Sequence, residues 1–100
     1  MIEKLFLSPA LYATLALFFD YPYDPLFPRL ISRYTGTDIK SVLRELKKLQ
    51  EIGILRSRRA GKERHYRLNE DFPVQEELAS VFDKTRKHRR YAVPTLDLNV

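Results

Sequence analysis

The stretch TGTDIKSVLRELKKLQEIGIL, residues 35–55, decides the fold. Gly36 suits a turn that needs positive φ, and either Thr37 or Asp38 can cap a following helix by accepting a hydrogen bond from its free amides. Val42, Leu46 and Leu49 then recur at helical spacing, with Ile52 at the end of the same stripe. Gly53 supplies the left-handed residue on which helices commonly stop. The pattern predicts a helix over about 38–52 whose other face carries Lys40, Arg44, Lys47 and Lys48.

Upstream, Pro28 opens a brief helix that ends at Tyr34-Thr35-Gly36, and Leu26-Phe27 before it reads as a very short strand. Asp20-Tyr21-Pro22-Tyr23-Asp24-Pro25 is a turn-rich connection. Before that, Ser8-Pro9 is a capped start, and Leu11, Leu15, Phe18 and Phe19 carry a first helix to about Phe19. Downstream, residues 54–59 and 64–68 alternate as strands about the turn Ala60-Gly61-Lys62-Glu63. A final helix starts near Pro73 or Val74, with Val74, Leu78, Val81 and Phe82 on one face, and ends near Lys87. The fold class is therefore mainly α with a small β-hairpin (α+β), a domain over 1–90 followed by an extended or poorly ordered tail over 91–100.

One hundred residues and an apolar fraction of 44% suit a single soluble domain with a modest core. The absence of cysteine removes disulfides, thiolate zinc sites and a thiol nucleophile together. The apolar stretch 5–19 is interrupted by Ser8-Pro9, lacks a cleavage pattern and is too short to span a bilayer, so a cytoplasmic location with no membrane contact is expected. The formal charge of +5 is unevenly spread: residues 29–67 hold twelve Lys and Arg against four Asp and Glu, a local +8. A second basic run spans 84–90. His65 and His88 stand in different elements without a carboxylate at ligand spacing, so no metal, cofactor or catalytic constellation is expected.

Residues 35–55 resemble the turn and recognition helix of winged helix-turn-helix regulators of the arsenical-repressor-like and multiple-antibiotic-repressor-like group. The resemblance rests on Thr35-Gly36, Asp38, Val42, Leu46, Leu49 and Gly53-Ile54-Leu55, and continues through ILRSRRAGKERHYRLN, which looks like the wing ending in Tyr66-Arg67-Leu68-Asn69. It covers roughly residues 8–87 and implies a transcriptional regulator that binds double-stranded DNA as a homodimer, with a recognition helix at about 38–52 and a wing at about 55–68. In such a domain Lys40, Ser41 and Arg44 would meet base edges in the major groove. Arg29, Arg33 and Lys47 would hold phosphates, and Arg58, Arg59, Lys62 and Arg64 of the wing would follow the backbone or the minor groove. The first and last helices would build the dimer through Leu5, Phe6, Leu11, Leu15, Leu78, Val81 and Phe82.

Two plainer readings compete. Arg44, Lys47 and Lys48 can pair with Glu45 and Glu51 along a solvated face. Ile39 and Leu43 share the outward side with Lys40 and Lys47, where they contact thymine methyls, are buried by a neighbouring segment, or form a protein-facing patch. The last option is the alternative function, a winged-helix interaction module without sequence-specific DNA binding. The cations of the hairpin favour DNA, because clustered charges of one sign add nothing to folding.

Overall fold

Each helix begins where the sequence can satisfy or dispense with its first amides. The computed structural model describes residues 8–73 and 75–84. Within them α1 (Pro9–Asp20) starts after Ser8, whose Oγ accepts the Leu11 amide at 3.2 Å. Helix α2 (Pro28–Thr35) has no side-chain cap but begins on proline, which brings no amide hydrogen to satisfy. Helix α3 (Ile39–Ile52) is capped by Asp38, not Thr37: its Oδ2 accepts the Ser41 amide at 3.0 Å. The chain closes with strands β1 (Leu55–Ala60) and β2 (Glu63–Leu68) and helix α4 (Gln75–Lys84). The described residues thus form an α+β arrangement of four helices and one antiparallel hairpin.

The short strand expected at Leu26-Phe27 is a single bridge, Leu26 to Tyr66, closed by two backbone hydrogen bonds of 2.8 and 2.7 Å. It ties the connection between α1 and α2 to the free edge of β2. Gly36 and Gly53 both take positive φ, 71° and 102°, and end α2 and α3. Before α4 the chain makes a turn through Asn69, Asp71 and Phe72, in which the Asn69 carbonyl accepts the Phe72 amide.

Helix α1 is the centre of the core. The other three helices and β2 all pack on it, so Tyr12, Thr14, Ala16 and Leu17 are buried along with Leu15 and Phe18, while Leu11 and Phe19 lie at the edge. Leu30 and Ile31 from α2, Val42, Leu46 and Leu49 from α3, and Leu55, Tyr66 and Leu68 from the hairpin complete it. From α4 the ring of Phe82 stacks on Tyr12 and Phe19, with centroids 5.6 and 5.0 Å away.

Two sequence expectations change here. Ile52 is 62% exposed instead of ending the buried stripe, since Gly53 turns the chain so that Ile54 enters the core in its place. Leu15 and Phe82, expected at a homodimer interface, are 3% and 0% exposed within the single chain, because α4 docks on α1 of its own chain. Leu11 and Leu78 are partly buried against the same core, and Val81 is 37% exposed. Leu5, Phe6, the end near Lys87 and the tail over 91–100 lie outside the described residues. No helix among the described residues is long and apolar enough to cross a membrane.

Because Phe82 fills the core of one chain, Phe82→Ala should cost about 3–5 kcal/mol. The urea midpoint should fall by the same amount at low and high protein concentration; a loss that grows on dilution would place the ring between chains instead.

Candidate nucleic-acid interface

With Val42, Leu46 and Leu49 turned inward, the helical repeat sends Lys40, Arg44, Lys47 and Glu51 to the opposite side of α3, and all four are exposed. Lys40 and Lys47 make no ion pair or side-chain hydrogen bond among the described residues. Arg44 and Ser41 are engaged with the helix start. Ser41 Oγ donates to Asp38 Oδ1 at 2.8 Å and accepts from Arg44 Nη2 at 3.3 Å. These bonds hold the Asp38 carboxyl below the usual carboxylate range, first through the Ser41 hydroxyl and then through its amide. Ser41 is therefore part of the cap more than a free base-reading group.

Glu45 departs furthest from the picture of a solvated charged face. It is 1% exposed, with Arg44 Nε and Lys48 Nζ at 3.5 and 3.4 Å from its two oxygens. The expected pairing of Arg44 and Lys48 with Glu45 thus exists, but it is made over a buried carboxylate. Glu51 makes no ion pair among the described residues.

Beside α3 stands the hairpin. Gly61, φ 62°, and Lys62 form a two-residue loop of the kind that suits the twist of paired strands. Ala60 and Glu63, expected in the turn, are the last pair of the ladder. The register sets Leu55 against Leu68, Ser57 against Tyr66 and Arg59 against Arg64 on one face. Ser57 Oγ donates to Gln50 Oε1 of α3 at 2.8 Å and accepts from Arg64 Nη1 at 3.1 Å, so this face looks toward α3. A cleft lined by Lys47, Gln50, Glu51, Arg64 and Tyr66 runs between helix and hairpin.

The opposite face pairs Arg56 with Arg67, Arg58 with His65 and Ala60 with Glu63. Two cross-strand pairs of the ribbon are therefore arginine on arginine, an arrangement that destabilises an isolated hairpin. Arg56 finds Asp71 at 2.9 Å, and Arg59 Nε donates to the Gly61 carbonyl at 3.1 Å. Arg58 and Lys62 are exposed and make no such contact among the described residues.

The two candidates on α2 separate. Arg33 is exposed in the last turn, where its charge also suits the helix dipole. Arg29 instead grips the hairpin: Nε and Nη2 donate to the two oxygens of Glu63 at 3.0 and 2.9 Å. Its guanidinium lies 5.4 Å over the Phe27 ring, which stacks on His65 at the same centroid distance. Arg29 thus positions the loop end of the hairpin, which the sequence reading did not foresee. Arg56 and Arg67 were likewise unassigned by that reading, and the short loop at Gly61-Lys62 is the signal that would have paired them. Among the described residues no group of His, Asp or Glu could hold a metal ion, and His88 lies outside them.

No protein-family model, curated protein or solved structure matches the chain.

The fork to Arg29 holds the Glu63 carboxyl below its ordinary range, through the hydrogen bonds first and then the charges of Arg29 and His65. A depressed carboxylate stabilises the fold above its unfolded pKa, about 4.3, and that contribution is lost as pH falls through the folded value. Stability should therefore fall more steeply below about pH 4.3 in the native protein than in Glu63→Gln. Parallel acid profiles from urea unfolding would show that the fork does not persist in solution.

Proposed function

We propose that this chain is a winged helix-turn-helix domain that binds double-stranded DNA as a transcriptional regulator, with α3 in the major groove and the hairpin as its wing. The observation that carries the reading is the ribbon with its cross-strand arginine pair Arg59 and Arg64, fixed beside the exposed Lys40 and Lys47 of α3. Such a surface costs folding energy and gains only from a polyanion. A helix with an adjoining ribbon has the dimensions that a groove and its flanking phosphates accept.

Roles divide by geometry. Arg44, at the N-terminal half of α3, can exchange its contacts with Ser41 and Glu45 for a bidentate contact to guanine. Lys47, Lys62 and Arg64 serve as phosphate contacts and Arg33 extends them along α2, whereas Arg58 lies on the hairpin face turned away from α3 and takes no part. Pairing of two chains belongs to the same proposal, on surface other than the buried Leu15 and Phe82.

A second reading is favoured by one observation: Ile39 and Leu43 are 39% and 47% exposed on α3, and no neighbouring segment among the described residues covers them. As a protein-docking patch they would make α3 an interaction helix, and Leu43→Glu would then abolish partner capture without touching DNA affinity.

Binding to a short duplex should weaken as salt rises, with a slope of about −0.9 per phosphate neutralised. Lys62→Ala should lower that slope by about 1 and weaken all sequences alike. Arg44→Ala should cost about 1–3 kcal/mol on the preferred site and little elsewhere. A slope near zero overturns the DNA reading, and identical behaviour of the two variants overturns the division of roles.

A further inference from the structure

The face of the hairpin turned away from α3 carries cations that the duplex reading leaves unused. Arg56 and Arg67 stand directly opposite each other there, and Arg58 follows two residues along on the same side. Two adjoining depressions share Arg56 and Arg67: one reaches Tyr23 and the carboxylates Glu70 and Asp71, the other Arg58 and His65. Tyr23, in the connection between α1 and α2, is 90% exposed. Asp71 engages Arg56 at 2.9 Å, whereas Arg58 and Arg67 make no ion pair or side-chain hydrogen bond among the described residues.

Same-face neighbours on a strand are about 7 Å apart, as Arg56 and Arg58 are, and with Arg67 across the ladder from Arg56 they form a cationic patch able to meet successive phosphates of a backbone. A large exposed ring beside such a patch offers a stacking surface. In a duplex the bases are stacked on each other, and only an unpaired base can use that ring. A free mononucleotide would gain little, since small ligands need most of their surface enclosed and this ring stands almost fully in solvent. We propose that the outer face of the hairpin binds an unpaired nucleic-acid strand, its phosphates on Arg56, Arg58 and Arg67 and a base on Tyr23. The proposal does not rest on the duplex reading, because α3 takes no part in it.

The test uses a fluorescent oligothymidylate of about ten nucleotides, within the site sizes of single-strand binders, followed by anisotropy with the full chain. It should bind, and an excess of unlabelled duplex should not displace it. Arg67→Glu should weaken it at least tenfold and Tyr23→Ala at least fivefold, while Asp71→Asn should tighten it by freeing Arg56. Arg67→Glu also replaces a like-charge pair by an opposite-charge one, so its melting temperature should rise, which separates lost binding from lost folding. Failure of the oligonucleotide to bind, indifference to Arg67→Glu and Tyr23→Ala, or complete displacement by duplex would each overturn the proposal. Loss of duplex binding with the oligonucleotide retained would instead overturn only the reading of α3.

Discussion

The position of every candidate contact depends on how α3 ends. Gly53, at φ 102°, gives its amide to the carbonyls of Leu49 and Gln50, and Ile54 gives its amide to Leu49 again. This is the Schellman arrangement, in which a left-handed residue folds the chain back over the last turn and places the next apolar side chain against it. Ile54 consequently enters the core, and β1 leaves beside the helix instead of along its axis. The other end of the hairpin returns to the same point: Asn69 Nδ2 donates to the Gly53 carbonyl and the Asn69 amide to that of Ile54, both at 2.8 Å. One glycine thus fixes both strands relative to the cationic face of α3.

Once placed, the hairpin is held by contacts of two kinds. On its inner face Ser57 links Gln50 to Arg64, while at the loop end Arg29 of α2 closes a fork on Glu63. These are polar, largely exposed contacts of modest strength. They set orientation more than stability, which comes from Leu55, Tyr66 and Leu68 seated in the core. The arginine pairs work against both, and their repulsion is only locally relieved by Asp71, Ser57 and the Gly61 carbonyl. A polyanion partner on such a surface would relieve the remainder, with an affinity governed by salt.

Much of this was legible from residue order. The cap at Ser8, the stops at Gly36 and Gly53, and the stripe Val42, Leu46 and Leu49 are local signals, and each stands in the structure where its chemistry predicts, whereas the choice of Asp38 over Thr37 as the cap of α3 is made only by the structure. What sequence could not resolve depends on tertiary neighbours. Periodicity marks Leu15 and Phe82 as apolar but does not say whether their partner is the same chain; the stacking of Phe82 on Tyr12 and Phe19 decides it. Glu45 looks like one more surface charge until the fold buries it. Arg29 reads as a free cation because its partner Glu63 is distant in sequence and close only after the hairpin folds. Arg56 and Arg67 needed the strand register, and a loop taken as four residues instead of two conceals it.

The central claim is that α3 and the hairpin act together as one surface for nucleic acid. Amide NMR spectra of the isotope-labelled chain, titrated with a short duplex at low salt, test it most directly. The account predicts shifts concentrated at Lys40, Arg44 and Lys47 and at Arg59, Lys62 and Arg64, with the amides of α1 and α4 unmoved. Shifts confined to α1 and α4, or an unchanged spectrum at saturating duplex, would contradict it.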